Sequence, residues 1–401
     1  MNVWMQDLQT PSTTPFVGQR GLAVTVYLDC NATTPLDPVV RETMLRFLEE
    51  EFGNAGSRTH EFGTRAKQSV EEARRSVASL AKADAQDVVF TSGATESNNL
   101  AIRGLAEHGH RVGKKHLVAT AIEHKAVLEP LEQLERQGFE VTIVPVNASG
   151  AVSVGAIEEA IRSDTLLVSV MHANNETGVV QPVHEIADRL DPDGPYFFVD
   201  GAQTFGKLDD PLQHPRVDLI SLSAHKIYGQ KGVGALISRR RGRARPPLQP
   251  LMHGGGQERG LRPGTLPVHV IVGLGEAAER AAQYKTERAV RCDEIRRGIV
   301  KALEPLGVQF NGDQSLVMPH VLNCSVPGVD SEAAMLACKG NIAISNGSAC
   351  TSVSYTSSHV LEAMGLSEDR IEGAMRLSWC YLTPDADWDE LIRRPLARLA
   401  V

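Results

Sequence analysis

Two side chains sit where an apolar strand ends and chemistry could begin. Lys226 follows the run DLISLSA (218–224), with Gly229, Gly232 and Gly234 behind it. A lysine at the mouth of an apolar sheet has its charged form penalised, and as the free amine it could form a Schiff base. An ordinary surface lysine is the generic alternative. Asp200 ends the run YFFVD (196–200) and is followed by Gly201, Ala202 and Gln203. A carboxylate there is costly to bury without a cationic partner such as a protonated pyridine nitrogen. An N-cap for a following helix is the commoner role of Asp in such a loop.

Other motifs have the same strand-end placement. VVFTSGATESNNLAI (88–102) reads as a strand, a small-residue turn and a helix. Gly93 and Ala94 would let backbone N–H groups approach a ligand, Thr95 adds a hydroxyl, and the helix N-terminus adds its positive dipole end. The turn is a phosphate cradle or a plain helix cap formed by Ser92 or Thr95 with Glu96. MHANNETG (171–178) offers Asn174 and Asn175 as amide donors, and IEHKAV (122–127) starts a helix at His124. A neutral imidazole at His124 could stack on an aromatic ring and move protons. Ser223 and His225 flank the lysine and suit phosphate or positioning contacts.

Two further residues complete the set. Cys350 lies in ISNGSACTSVSYTSS (344–358), a Gly/Ser/Thr-rich stretch that gives little core packing, so its thiol is expected to be exposed and reactive. Cys30, Cys292, Cys324, Cys338 and Cys380 are expected to be structural. Arg376 lies inside the apolar run AMRLSWCYL (374–382), where a guanidinium needs an anion. A substrate carboxylate or a structural salt bridge would serve.

The elements that must position these residues alternate in type. HLVA (116–119), EVTIVPV (140–146), TLLVSVM (165–171) and the runs above read as strands, separated by helix-period stretches such as 124–137 and 155–162. Continuously apolar strands alternating with helices imply an α/β fold with a largely parallel sheet covered on both faces. Ligands of such sheets gather beyond the strands' carboxyl ends. The Gly/Pro/Arg-rich stretch 241–264 interrupts the pattern, and a long helix, 267–303, follows it. A smaller α+β domain takes up the remainder. The expected division is a flexible lead over 1–20, a large domain over 36–280, and a small domain from 21–35 with 281–401. The basic run Arg239–Arg245 reads as a solvated hairpin tip.

Composition excludes several classes. A net charge of -8 argues against direct nucleic-acid binding by the whole protein. Six scattered cysteines without a CxxC pair support neither a disulfide framework nor a metal site, and free thiols fit the cytoplasm. No run of about 18 apolar residues predicts a membrane span.

Together these motifs resemble the class V aminotransferase family, specifically its cysteine desulfurases of the nitrogen-fixation and iron–sulfur assembly type. The similarity runs from YLDCNATTP (27–35) to RLSWCYLTP (376–384), through TSGATESNN, EHKAV, NNETG, VDGAQ, SAHKIYGQKG, HGGGQERGLRPGT and SNGSACTS. The resemblance implies the type I fold of pyridoxal-phosphate (PLP)-dependent transferases, and a role for each residue. Lys226 would carry pyridoxal 5′-phosphate as a Schiff base, Asp200 would pair with its ring nitrogen, and Gln203 would bind its phenolic oxygen. His124 would stack on the ring, while Ala94, Thr95, Ser223 and His225 would hold the phosphate. Thr265 would reach the phosphate in the neighbouring subunit of a homodimer. Asn175 and Arg376 would bind the substrate carboxylate, and Cys350 would take sulfur from L-cysteine as a persulfide and leave L-alanine.

The sulfur would then pass to an acceptor protein, an iron–sulfur scaffold or a specialised partner. Asn346 stands where many relatives carry Ser. The chain ends at Val401, without the tail that housekeeping relatives use to dock the scaffold, which turns the expectation toward machinery such as DNA phosphorothioation. Selenocysteine lyase, another aminotransferase activity, or a non-enzymatic assembly partner that keeps the fold are the alternatives.

Overall fold

The structure is a computed structural model that describes residues 25–346 and 357–399. The lead over 1–20 and Cys350 lie outside the described residues. Twelve strands are described: β1 (Val26–Tyr27), β2 (Val88–Thr91), β3 (His116–Thr120), β4 (Glu140–Val144), β5 (Thr165–Met171), β6 (Tyr196–Asp200), β7 (Leu219–Ser223), β8 (Gly234–Ser238), β9 (Gln309–Phe310), β10 (Val321–Ser325), β11 (Ile342–Ala343) and β12 (Ala374–Ser378). Seven form the main sheet in the order β2-β8-β7-β6-β5-β3-β4. Every neighbouring pair is parallel except those of β8, which runs antiparallel to both β2 and β7.

Apolar helices cover both faces, as a parallel sheet requires. One core joins Val118, Val168, Phe197 and Ile220 to the helices Pro38–Glu49 and Glu61–Leu80 and the first part of Val268–Leu303. The opposite face packs Leu117, Leu167 and Phe198 against Leu100, Leu131 and Leu134. The second part of Val268–Leu303 leaves that body: Cys292, Ile295, Ile299 and Leu303 enter another core with Leu322, Met375, Leu377 and Trp379. That core backs the antiparallel sheet β12-β10-β9 and the β1-β11 pair.

The basic run departs from expectation. Arg241 and Ala244 do close a tight turn. Arg239, however, is buried and donates to the carbonyls of Ala81, Leu212 and His214. Arg241 grips Asp218 at 2.7 Å through two nitrogens and lies over the Tyr196 ring. These two cations close the amino-terminal edge of β6 and β7, and only part of the run meets solvent.

Candidate active site

The carboxyl ends of β2, β5, β6 and β7 open into one cavity of about 390 Å³. Its wall brings together Ala94, Thr95, His124, Asn175, Asp200, Gln203, Ser223, His225, Lys226 and Arg376. Strand registers explain the grouping: Met171 pairs with Asp200, so β5 and β6 end level, and Asp200 pairs with Ser221, two residues before β7 ends at Ser223.

Asp200 is buried and held by three donors. Asn98 Nδ2 reaches Oδ2 at 2.8 Å, the Ala202 N–H reaches Oδ1 at 2.9 Å, and the Ser221 hydroxyl lies 3.3 Å from Oδ1. No helix starts at Asp200, so the capping alternative is not realised; the Ala202 bond closes a local turn, and the carboxylate lines the cavity. Lys226 Nζ donates to the carbonyls of Asn31 and of Ala32, the latter at 2.9 Å. Gln203 Nε2 donates to the same Asn31 carbonyl at 3.1 Å.

The turn after β2 carries no side-chain N-cap. Gly93 takes φ 154 and ψ -178, and the helix Ala94–Arg103 starts behind it. Glu96 Oε2 instead accepts from the Ser92 N–H at 2.7 Å, while its Oε1 accepts from Arg262. The first-turn N–H groups are thus presented at the cavity without intrahelical acceptors. His225 sits beside them, and burial with Lys226 and Lys231 nearby pushes its pKa down to about 4, so it is neutral.

His124 caps the helix Lys125–Glu135: its Nδ1 accepts from the Ala126 N–H at 3.0 Å. That bond leaves the proton of the neutral ring on Nε2. Burial is the main cause that lowers its pKa, and Lys226 adds to it. Glu123, next in sequence, is fully buried and pushed up to about 8 by burial.

The two asparagines of the NN pair separate. Asn174 is buried in a turn, accepting from the N–H groups of Glu176 and Thr177, while Asn175 lines the cavity. Arg376 is buried and has an anion inside the chain: Nη2 lies 2.6 Å from Asp29 Oδ1, and Nη1 donates to the Asn175 carbonyl at 3.1 Å. The salt-bridge alternative is real, yet Nε has no hydrogen-bond partner among the described residues. Thr265 stands apart, in a second cleft with Asn54, Lys67 and Arg74.

Sequence reasoning missed Asn98, the carbonyls of Asn31 and Ala32, and Asp29. A signal existed for Asn98: it shares the sheet-facing side of its helix with Ala101 and Ile102, and a buried amide needs a polar partner. The five cysteines expected to be structural are buried and free. A cluster of His184, Asp188 and His214 has metal-ligand spacing. His214 Nδ1 accepts from the Arg216 N–H at 3.1 Å, which keeps the proton on the Nε2 that would have to ligate. Among the described residues no helix is long and apolar enough to cross a membrane.

The site's chemistry fits an aromatic phosphate ester. Asn31 Oδ1, Asn98 Oδ1, Gln203 Oε1 and Arg376 Nε are buried polar atoms of the wall without protein partners among the described residues. Helix N–H groups face one end and a carboxylate faces the other part of the same cavity. An aromatic phosphate ester with a ring nitrogen would use both.

A mixed sheet with a cradle after its first strand, an acid at the end of β6 and a lysine after β7 defines a class. Residues 26–391 match the aminotransferase class-V family, and the chain belongs to it; enzymes of this family depend on pyridoxal phosphate. Among its relatives, a cysteine desulfurase IscS from Pectobacterium carotovorum subsp. carotovorum is 45% identical over 380 residues, covering 93% of each chain. Among solved structures, a NifS-like protein superposes with a TM-score of 0.85 at 36% identity, over 94% of this chain and all of that one. DndA from Streptomyces lividans superposes with a TM-score of 0.77 at 46% identity, over 91% of this chain and 99% of the other.

Proposed function

We propose that this chain is a pyridoxal-phosphate-dependent cysteine desulfurase that releases L-alanine from L-cysteine and retains the sulfur on Cys350 as a persulfide. The balance is simple: the substrate C–S bond is replaced by C–H, and an S–S bond forms on the enzyme. The observation that carries the reading is the anchorage of the segment before Cys350. Ser345 exchanges backbone hydrogen bonds with Arg376, at 3.2 and 2.6 Å, so the chain is tied to a residue of the cavity wall five residues ahead of the thiol in sequence.

The residues divide the work. Lys226 would be the covalent anchor, Asp200 would pair with the ring nitrogen, Gln203 with the phenolic oxygen, and His124 would stack on the ring. Ala94, Thr95, Ser223 and His225 would hold the phosphate. The cofactor, when bound, supplies an electron sink conjugated to the substrate amine. Neutral His124 keeps its proton on Nε2, where it is available as a donor, while its Nδ1 is held by the Ala126 N–H. Asn175 and Arg376 orient the substrate carboxylate, with Nε the guanidinium nitrogen left for it while Nη2 stays with Asp29.

The functional unit is a homodimer in which Thr265 serves the neighbouring subunit. Support comes from its separate cleft and from the exposed Leu48, Phe52 and Phe62, on the helices Pro38–Glu49 and Glu61–Leu80 and the connection between them. The sulfur goes on to an acceptor protein, an iron–sulfur scaffold or a specialised sulfur-transfer partner. The cytoplasm suits five reduced thiols, two of which, Cys30 and Cys380, hydrogen-bond each other.

The test is L-alanine and sulfide release from L-cysteine by the cofactor-loaded chain. Cys350→Ser should reduce it by about two orders of magnitude or more. A serine variant that desulfurates at the parental rate ends the reading. Borohydride reduction followed by peptide mapping should find the cofactor on Lys226, and a label elsewhere refutes the anchor.

A further inference from the structure

A second cavity, of about 460 Å³, lies apart from the active site, between the turn at Gly206–Leu208, the long helix near Arg288 and the segment leading to His320. Its walls are largely apolar, with Leu208, Ala289, Leu316, Val317 and Met318. Two of its cations are already committed: Lys285 lies 3.3 Å from Asp209, and Arg288 lies 3.0 Å from Asp37. Lys207 is different. Its Nζ lies 3.3 Å from His320 Nε2, and no carboxylate pairs with it among the described residues.

The groups around Lys207 supply no anion on the cavity side. His320 is neutral, because burial and then Lys207 and Arg296 push its pKa well down. Cys292 lines the cavity, but burial raises its thiol to about 12. Cys30 is raised by its hydrogen bond to Cys380 and by burial, whereas Cys380 is lowered by that same bond. Neither Cys30 nor Cys380 is part of the cavity wall. The ammonium therefore fronts an apolar chamber of about 460 Å³.

We propose that this chamber binds a small monoanionic amphiphile, a carboxylate on a short apolar body, with Lys207 as its counter-ion. A single uncompensated positive charge matches one carboxylate, and the apolar walls match the remainder. A zwitterionic amino acid would bring a second ammonium against Lys207, Lys285 and Arg288. An inorganic phosphate has no apolar part to fill the chamber.

Binding must be linked to protons. Burial pulls the Lys207 ammonium down to about 8. An anion in contact favours the charged form, so affinity should fall as pH rises through that value.

Calorimetric titration of the cofactor-loaded chain with hexanoate tests the proposal, with hexanol and hexylammonium as uncharged and cationic probes. Hexanoate should bind saturably at neutral pH and about tenfold or more weakly near pH 9.5. Hexylammonium should not bind. Lys207→Met should lose about tenfold or more in affinity, and its fold is verified by its melt and its cofactor absorbance. Ala289→Leu fills the chamber without touching the charge and should also abolish binding, which decides the matter if the lysine variant fails to fold. Hexanoate binding that survives both substitutions, hexanol binding as tight as hexanoate, or no hexanoate binding at millimolar concentration would each overturn it.

Discussion

Asp200 shows how this chain keeps a carboxylate at a sheet's apolar edge: each oxygen has a donor, and the Asn98 amide is the nearest. Asn98→Ala removes that donor and leaves a buried carboxylate oxygen short of a partner, a cost of about 1–3 kcal/mol. We expect alanine production to fall by roughly tenfold or more in this variant, with Asn98→Gln recovering part of it; steady-state assays across pH measure both. Glu123 poses the opposite case. Oε1 accepts from the Thr120 hydroxyl and the Met171 N–H, each at 2.7 Å, Oε2 has no partner among the described residues, and burial moves the pKa from 4.5 to about 8. The native state thus keeps a proton that the unfolded chain gives up. Its contribution to stability is complete below pH 4.5 and is lost as pH climbs through 8. Glu123→Gln should flatten stability against pH across that window and exceed the parent above it, by on the order of 5 kcal/mol. Melts at a series of pH values decide it, and a Gln variant that declines as steeply as the parent would show that Glu123 is ionised throughout.

At the scale of elements, the cradle depends on two backbones in close approach. A Cβ at position 234 would run into the Leu222 carbonyl oxygen and come within 2.7 Å of Gly93 Cα. Strand β8 can therefore lie between β7 and β2 only with glycine there, and the turn at Gly93 inherits its place from that contact. Gly234→Ala should displace the turn, destabilise the fold by about 1–3 kcal/mol and weaken retention of the cofactor. A parental melt together with undiminished cofactor binding would refute this. The strands themselves were legible because burial on both faces writes a continuous apolar run: Thr165–Met171 and Tyr196–Asp200 have the limits read from the sequence. Direction was not, since β8 is as apolar as the parallel strands of the sheet and nothing local marks it as antiparallel. Partners distant in sequence were also hidden. Asn174 and Asn175 are alike on paper and differ only in which one the turn turns inward, and Arg376 advertised its need for an anion without revealing Asp29. Arg239 and Arg241 looked like surface charge because their carbonyl and carboxylate acceptors lie on other strands and loops.

For the molecule as a whole, the helix Val268–Leu303 is the beam between two cores, and Asp37 fastens it. Asp37 caps the helix Pro38–Glu49 through the Val39 N–H, receives Arg280 at 2.9 Å and Arg288 at 3.0 Å from the long helix, and accepts from the Tyr381 hydroxyl at 2.7 Å. Arg288 is itself stacked over Tyr228 and Tyr381, so one carboxylate joins the main body, the beam and the strand end beyond β12. Burial alone would raise the pKa of Asp37, but the hydrogen bonds from Tyr381, Arg280 and Val39 outweigh it and hold the carboxyl below its ordinary 3.8. The sign follows: this carboxylate stabilises the fold fully above its unfolded pKa, and the contribution is lost as pH falls through the lowered native value. Asp37→Asn keeps the size and a cap acceptor but leaves Arg288 buried without an anion, which costs about 3 kcal/mol. The variant should melt several degrees lower near neutral pH, and the gap from the parent should close in acid. Conversely, Arg288→Met should recover part of the loss in the Asn background, because it removes the unpaired charge. If Asp37→Asn melts with the parent at neutral pH, the residue is only a helix cap, and the two bodies are held together by apolar contact along the beam.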